Sequence, residues 1–229
     1  IIAGLSEMQG STYNAMQLLS LFFHTTGKIY PSSDQPLTLH AVFKDGSEVA
    51  GESHIADHPG MIDHVYVTNT FDETPQASRR VVNTILESDM IVLGPGSLFT
   101  SILPNIVIEE IGQALLETKA EIAYVCNIMT QRGETEHFSD SDHVEVLHRH
   151  LGRPFIDTVL VNIEKVPREY MDTNRFDEYL VQVEHDFAGL CKQVPRVISS
   201  NFLRLENGGA FHDGDLIVDE LMRIIQVRK

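Results

Sequence analysis

Short apolar runs alternate with helix-like patterns through the middle of the chain. Three of the runs have the length of β-strands, and they end at Gly94, Asn127 and Asn162. Between them, apolar residues recur at helical spacing, first from Val107 to Leu115 and then from Val144 to Leu151. The order strand, helix, strand, helix, strand predicts a parallel sheet covered by helices.

The N-terminal third has two different patterns. Residues 1–26 show helical spacing, and Gly27 is expected to end that helix as a C′ glycine. Residues 37–68 alternate between apolar and polar positions around a hairpin signal at Asp45-Gly46. This second pattern predicts a small antiparallel excursion from the main sheet.

The chain ends in a clear helical pattern, with Asp213 or Asp215 as the expected N-cap. The apolar stripe of this helix is predicted from four residues, namely Val218, Leu221, Met222 and Ile225. Together the patterns predict a single α/β domain over residues 1–229. Its architecture is a three-layer, Rossmann-like parallel sheet with helices on both faces and a small antiparallel β excursion around residues 37–68.

The three strand ends are expected to lie along one edge of the sheet. Right-handed crossovers between parallel strands bring their carboxyl ends to the same side. In open α/β sheets, ligands bind at that side. A single Asn at a strand end is usually only a turn residue. Three successive segments that end in this way favour a shared cleft.

A glycine turn follows the first of these strands. Gly94-Pro95-Gly96 is followed by three hydroxyl side chains, Ser97, Thr100 and Ser101. Glycines allow close approach to the backbone, and short hydroxyls with free N–H groups bind phosphate oxygens. The segment matches neither GxGxxG nor GxxxxGK[ST], so a plain strand-to-helix turn remains the alternative.

Composition narrows the classes of function. The formal charge of −16 argues against a nucleic acid polymer or an anionic membrane as partner. No apolar run is long enough for a membrane span. Two cysteines in 229 residues fit a reducing cytoplasm rather than a disulfide framework. A small-molecule ligand is compatible with all of these, and a homo-oligomer is left open.

Two segments carry a specific family resemblance. Residues 94–105 read GPGSLFTSILPN, and residues 124–135 read YVCNIMTQRGET. Both resemble the signature segments of the bacterial gluconeogenesis factor family (YvcK-like), which is related to the CofD-like 2-phospho-L-lactate transferases. Shorter matches occur in family order along the whole chain, at residues 5–10, 51–53, 141–143, 161–162 and 211–213.

The resemblance implies a cytoplasmic factor that is needed for growth and cell shape on gluconeogenic carbon sources. It further implies a regulator that binds a nucleotide sugar of the UDP type and links carbon metabolism to cell-wall synthesis. The alternative is a CofD-like transferase that moves a phospholactyl-type group from a nucleotide diphosphate carrier. The turn at residues 94–97 favours the regulator, because transferase relatives have Pro-Ser/Thr-Asn-Pro character there. The resemblance assigns no cofactor or catalytic residue, and a dinucleotide is the alternative ligand class.

The chain departs from the family pattern at two places. Many members have Arg where this chain has Phe211, so an anion-holding role for that side chain does not carry over. Family members also begin with a glycine-rich strand-turn-helix and an Asp-Asp-Gly-Gly segment, whereas this chain opens at Ile1 within a helical pattern. We therefore expect it to be the C-terminal part of a longer protein, with the first nucleotide-binding turn upstream.

The signature segments and the strand ends supply the candidate site. Glu134 is a candidate acceptor for a sugar hydroxyl, against the alternative of a solvent-facing loop residue. His143 is expected at the start of a helix, where it either contacts the ligand or has no ligand role. The predicted ligand-binding residues are Gly94, Gly96, Ser97, Thr100, Ser101, Asn127, Thr130, Gln131, Gly133, Glu134, Thr135, His143 and Asn162.

Histidine and cysteine are two further side-chain types that can carry chemistry. Eleven histidines are many for this length, and His54 and His58 lie four residues apart. Pro59-Gly60 follows directly and disfavours a helix with both rings on one face, and nothing matches HExxH or CxxC, so no metal site is expected. Cys126 lies at a strand end beside the predicted cleft. A nucleophilic thiol needs a base or a helix dipole to lower its pKa, and the sequence places neither beside it. A small core residue is therefore the favoured interpretation of Cys126.

Overall fold

The computed structural model describes residues 1–71, 73–171 and 179–228. Its α-helices are α1 (Ile2–Gln9), α2 (Thr12–Phe22), α3 (Glu52–Asp57), α4 (Arg79–Glu87), α5 (Leu103–Ile106), α6 (Glu109–Glu117), α7 (Asp140–His150), α8 (Phe187–Gln193) and α9 (Gly214–Arg228). A π-helical turn, Leu98–Ile102, runs directly into α5, and a 3₁₀ turn covers Arg168–Tyr170.

Eleven strands are described between these helices. They are β1 (Leu37–Phe43), β2 (Glu48–Ala50), β3 (Ile62–Asn69), β4 (Met90–Leu93), β5 (Glu121–Val125), β6 (Met129–Gln131), β7 (Thr158–Asn162), β8 (Tyr179–Gln182), β9 (Arg196–Ser200), β10 (Leu203–Glu206) and β11 (Gly209–His212).

The main sheet is parallel, as the sequence predicts. Its strand order is β4-β5-β7-β9, so the three strands predicted from the apolar runs are direct neighbours. Val92 lies opposite Ala123, and Tyr124 lies opposite Val159. Crossovers through α5–α6 and α7 connect these strands, which gives the predicted α/β fold with helices on both faces.

The two faces of the sheet are covered unequally. On one face, Tyr124 and Val159 pack with buried residues of α6, α7 and α8, and this forms the larger core. On the other face, Ala123 and Leu160 pack against Phe202 and against a single helix, α9. The alternation of side chains along each strand produces this division.

The edge strand β4 is less buried than its apolar sequence suggests. All five residues of β5 are buried, and so are four of the five in β7. Val92 of β4 nevertheless remains 42% exposed. It lies on the face that only α9 covers, and β4 has one strand neighbour within the described sheet. Continuous burial on both faces therefore holds for the inner strands and fails at this edge.

The antiparallel excursion is confirmed. Strands β2, β1 and β3 form a three-stranded sheet in that order, and Asp45-Gly46 lies in the β1–β2 hairpin. The register of β1 against β3 runs from Leu37–Asn69 to Phe43–Ile62. Two small antiparallel pairs, β6–β8 and β10–β11, extend beyond the carboxyl edge of the parallel sheet.

The prediction of one helix over residues 1–26 is wrong. Gly10 adopts a left-handed conformation with φ of 65° and ends α1, and Ser11 then caps α2 by accepting from the Asn14 N–H. The helix α2 ends at Phe22, so Gly27 is not its C′ residue. Helical spacing continues across Gly10, which is why the periodicity alone did not show the break.

The last helix begins as predicted but turns a different stripe inward. Asp213 accepts a hydrogen bond from the Leu216 N–H at 3.2 Å, which makes it the N-cap. Ile217 and Ile224 are the buried residues, whereas Val218 and Met222 are exposed. The predicted stripe was therefore rotated by about one residue. Within the described part of the chain, no helix is both long and apolar enough to cross a bilayer.

Candidate functional site

The carboxyl ends of β4, β5 and β7 meet at one edge of the sheet. Because these strands are parallel neighbours, Gly94, Asn127 and Asn162 follow them on the same side. Strands β6 and β11 rise from this edge, and residues of both face the glycine turn across an open cavity. This arrangement matches the place where open α/β sheets bind ligands.

The turn after β4 depends on Gly94 more than on Gly96. Gly94 has φ of 76°, and a Cβ there would lie 3.1 Å from the Val125 carbonyl oxygen and 3.2 Å from Ile102 Cδ1. A Cβ at Gly96 would meet Ser101 Cβ at 3.5 Å, which is an ordinary contact. The peptide bond from Gly94 to Pro95 is cis. Backbone conformation and close packing therefore both require glycine at position 94.

Substitution of the two glycines by alanine should separate these roles. Gly94→Ala is expected to lower the free energy of unfolding by about 2–3 kcal/mol, because it forces a positive φ on a side chain in a tight space. Gly96→Ala, the matched control, should change it by less than about 1 kcal/mol. Urea denaturation of the two variants measures both. Equal stability of both variants would contradict the assignment.

Ser97 starts the helical segment that follows the turn. Its hydroxyl accepts from the Thr100 N–H at 3.1 Å, and its carbonyl accepts from the N–H groups of Ser101 and Ile102. Leu98 and Phe99 are fully buried below it. The local sequence thus folds into a capped helical start, with polar groups at the cleft and apolar groups in the core.

Glu134 occupies the beginning of this helix. Its carboxylate accepts from the hydroxyl of Ser97 at 2.5 Å, from the hydroxyl of Thr100 at 3.0 Å and from the Phe99 N–H at 3.3 Å. The residue is 4% exposed, so the alternative of a solvent-facing loop residue is excluded. An anion-binding helix start is therefore already filled by a carboxylate of the same chain.

The environment of Glu134 shifts its protonation. Burial raises the pKa of the Glu134 carboxyl above its usual value, and the hydrogen bonds from Ser97, Thr100 and Phe99 act in the opposite direction. The direction of the shift shows that burial has the larger effect. A carboxyl group that is buried and fully hydrogen-bonded in this way holds the turn in one geometry.

Asn127 holds the same turn from the other side. Its amide nitrogen donates to the Gly96 carbonyl at 2.9 Å, and its amide oxygen accepts from the Gly96 N–H at 3.3 Å. The second signature segment therefore fixes the first through two residues, Asn127 and Glu134. Within the part of the chain that the structure describes, the N–H groups of Ser97 and Leu98 have no hydrogen-bond acceptor.

A cavity of about 420 Å³ opens between the turn and strand β11. Its lining combines polar groups of the turn, Asn127 and Gln131 with apolar and aromatic side chains, of which Tyr170, Met171 and Ala210 pack against the cluster that contains Met129. The residues that line it are Pro95, Gly96, Ser97, Asn127, Ile128, Met129, Gln131, Tyr170, Met171, Gly209, Ala210, Phe211 and His212. A larger cavity of about 640 Å³ lies between β3, α6 and the end of α7, away from these strand ends.

His212 and Tyr170 are the titratable side chains among the described residues that line the cavity. The ring nitrogen Nε2 lies 3.0 Å from the carbonyl oxygen of Cys126, to which it donates. Burial lowers the pKa of His212, and the hydrogen bond to Cys126 opposes that shift. The imidazole is therefore neutral at pH 7, and it ties β11 to the end of β5.

The structure brings four of the thirteen predicted residues into the cavity lining: Gly96, Ser97, Asn127 and Gln131. Thr100 and Glu134 lie directly behind them and hold Ser97. Gly94 and Ser101 belong to the turn and to the helix start, outside the lining. A ligand-binding role for each of these residues remains a prediction.

The other predicted residues have internal partners. Thr130 binds Val181 through its hydroxyl, and the Thr135 hydroxyl accepts from the Gln131 N–H. Gly133 has φ of 74°, and a Cβ there would lie 3.3 Å from the Ala56 carbonyl oxygen. Asn162 donates to the Glu164 carbonyl and accepts from the Phe202 N–H.

His143 and Cys126 are both in the protein interior. His143 donates through Nδ1 to the Ser139 carbonyl at 2.8 Å, and burial lowers its pKa. Cys126 is buried, and burial raises the pKa of its thiol far above the usual value. The thiolate needed for nucleophilic attack is thus disfavoured, which agrees with the core role expected for Cys126. Among the described residues, no three His, Cys, Asp or Glu side chains converge as metal ligands.

The sequence did not point to Tyr170, Met171 or Ala210 as part of the cleft. They come from a 3₁₀ turn and a short hairpin, and neither has a periodic pattern or a recognisable motif. Phe211-His212-Asp213 did carry a signal as a family-ordered segment. The sequence nevertheless gives no sign that His212 belongs to the site, because its distance in sequence from the turn hides its proximity to Cys126.

Comparison with known proteins decides the family. The sequence profile described as "2-phospho-L-lactate transferase CofD" matches residues 1–203. The chain belongs to the CofD family. The match includes the glycine turn, the Asn127–Glu134 segment and the parallel sheet that presents them.

Close relatives within the family are bacterial. A "Putative gluconeogenesis factor" of Streptococcus pneumoniae serotype 4 is 90% identical over 230 residues, which cover 100% of this chain and 71% of that protein. A "Gluconeogenesis factor" of Listeria innocua serovar 6a is 39% identical over 225 residues, which cover 98% of this chain and 68% of that protein.

A solved structure has the same fold. The crystal structure of a UPF0052 family member from Bacillus halodurans superimposes with a TM-score of 0.90 at 28% identity. The superposition covers 96% of this chain and 70% of that one. The resemblance to the gluconeogenesis factors and to the CofD-like proteins is therefore confirmed at the level of family and fold.

Proposed function

We propose that this chain binds a nucleotide sugar of the UDP type in the cleft between the glycine turn and β11. In this role it is a cytoplasmic gluconeogenesis factor that responds to a metabolite and links carbon metabolism to cell-wall synthesis and cell shape. It needs no reaction for this purpose. The relatives named gluconeogenesis factors support the physiological part of the proposal.

The mixture of polar and apolar groups in the cleft lining carries the molecular part. Among the polar groups, the Ser97 N–H has no acceptor within the described residues and can donate to one phosphate group. Among the apolar groups, Tyr170 and Phe211 offer aromatic surface, and Met129 adds apolar surface. A ligand with a phosphate and a ring fits this lining better than a purely apolar ligand does.

The turn is held in place before any ligand arrives. Asn127 and Glu134 together make five hydrogen bonds to residues 96–100. A ligand that binds here does not have to order the loop, so less of its binding free energy is lost to conformational entropy. This preorganisation supports binding as the function of the turn.

Substitution of Gly96 tests the role of the turn in binding. Gly96→Val is expected to weaken binding of UDP-glucose by about tenfold or more, because its branched side chain shields the N–H groups behind it. The variant should remain folded, since a Cβ at this position meets only ordinary contacts. Isothermal titration calorimetry measures the affinity, with the unfolding midpoint as the control. Unchanged affinity in a folded Gly96→Val protein removes the phosphate role.

A CofD-like transferase is the second candidate function, and the description of the matching family is the observation that suggests it. The acceptor hydroxyl would attack the phosphorus that carries the lactyl-type group, the P–O bond of the diphosphate would break, and the nucleoside monophosphate would leave. A screen against UDP-sugars, NAD-type dinucleotides and a deazaflavin acceptor separates the two functions. Binding of a UDP-sugar without product formation supports the regulator, whereas turnover with a deazaflavin acceptor supports the transferase.

A further inference from the structure

We propose that His212 accepts a hydrogen bond through Nδ1 from a hydroxyl of the ligand's sugar, so that the cleft holds the sugar end of the nucleotide sugar. This inference rests on the function proposed above and adds the orientation of the ligand. It also names the side chain that distinguishes a nucleotide sugar from the free nucleotide.

The hydrogen bond to Cys126 fixes the tautomer of His212. A carbonyl oxygen only accepts, so Nε2, which lies 3.0 Å from the Cys126 oxygen, carries the proton. In a neutral imidazole the other nitrogen, Nδ1, then has a free lone pair. His212 therefore offers an acceptor, and an acceptor selects a hydroxyl or an N–H group of the ligand.

The lone pair on Nδ1 is available to a ligand. Across the described residues, His212 has no other hydrogen bond than the one to Cys126, and Nδ1 does not appear among the buried polar atoms that lack a partner. The side chain lines the same cavity as Ser97, Asn127 and Gln131. An acceptor in a cavity that also offers N–H and amide donors suits a group of neighbouring hydroxyls, each of which both donates and accepts.

The charges around the cavity favour the sugar over the diphosphate as the part of the ligand that occupies it. Among the described residues of the lining, none is Lys or Arg. The carboxylate of Glu134 already occupies the helix start beside Ser97, so the cleft suits one phosphate at the Ser97 N–H better than a complete diphosphate. The uncharged part of a nucleotide sugar can enter the rest of the lining without repulsion from Glu134.

Two substitutions of His212 distinguish the roles of its two ring nitrogens. Gln places an N–H near the position of Nε2, so His212→Gln keeps the donor to Cys126 and loses the acceptor at Nδ1. Asn places an oxygen near the position of Nδ1, so His212→Asn keeps the acceptor and loses the tie to Cys126. His54→Gln, on the short helix α3 outside the cleft, is the matched control.

The experiment compares the affinities of UDP and UDP-glucose by calorimetry, with the unfolding midpoint of each variant as the test of folding. Wild-type protein and His54→Gln should bind UDP-glucose more tightly than UDP by about tenfold, which corresponds to one or two hydrogen bonds. His212→Gln should lose that preference at an unchanged midpoint and bind UDP as before. His212→Asn should have a lower midpoint but keep part of the preference.

The tautomer provides a second measurement. Two-bond ¹H–¹⁵N spectra of the wild-type protein should show His212 protonated at Nε2, and UDP-glucose but not UDP should shift Nδ1. The inference is overturned if His212→Gln weakens UDP and UDP-glucose by the same factor, or if it keeps the preference for the sugar. Failure of the wild-type protein to bind either ligand overturns the proposed function, and this inference with it.

Discussion

Glu134→Ala should lower the free energy of unfolding by about 3–5 kcal/mol and abolish ligand binding at the turn. The substitution removes the only acceptor that the structure describes for the Phe99 N–H and takes a partner from the hydroxyls of Ser97 and Thr100. Each buried donor left unpaired costs about 1–3 kcal/mol, and the lost side-chain volume adds a cavity. Urea denaturation and calorimetry with UDP-glucose measure the two losses.

Glu134→Gln is the matched control for charge. The amide keeps one acceptor for Ser97 and Phe99, and its NH₂ group can donate to Thr100, so most of the stability should remain. The raised pKa of Glu134 means that the folded state holds the proton more tightly than the unfolded state, whose pKa is near 4.5. Wild-type stability should therefore fall relative to Glu134→Gln as the pH rises above about 4.5. A difference that is constant between pH 4 and 7 would refute the shift.

Among the buried apolar residues below the glycine turn, Phe99 is the one whose replacement by alanine should lower the free energy of unfolding most. Phe99 is fully buried, and its ring makes edge-to-face contacts with Phe138 at 6.2 Å and with His150 at 6.3 Å between ring centroids. Removal of a buried phenyl ring costs about 3–5 kcal/mol in transfer and cavity terms. The free energy of unfolding from urea titration measures the loss.

An exposed phenylalanine provides the comparison for Phe99. Phe71 is 79% exposed, so Phe71→Ala should change the free energy of unfolding by no more than about 0.5 kcal/mol. Phe99→Leu keeps most of the apolar volume and should cost less than Phe99→Ala. Similar losses for Phe99→Ala and Phe71→Ala would show that the core below the turn is not what holds it.

Strand and helix periodicity predicted the parallel sheet because burial on two faces leaves a strong signal. The runs before Gly94, Asn127 and Asn162 became β4, β5 and β7 in the expected order. The same periodicity failed where the chain changes direction without losing its apolar spacing. Gly10 breaks the first helix, and the stripe of α9 is displaced by about one residue.

The glycine turn and Asn127 could be predicted as part of the candidate site, since they lie at the ends of recognisable strands. The role of Glu134 was not accessible, because a buried carboxylate and an exposed one look alike in a sequence until the loop is folded. His212 was missed for a topological reason. It reaches Cys126 only because the β10–β11 hairpin turns back over the end of β5.

The hydrogen bonds from Asn127 and Glu134 to residues 96–100 have a consequence for protein engineering. The glycine turn is not a self-contained loop, because its shape is imposed by a segment more than thirty residues away. Transplanting residues 94–102 alone onto another α/β scaffold should give a turn of different shape. A graft that also carries residues 127–134 on the adjacent parallel strand should reproduce it, so the pair of segments is the smallest portable part of this site.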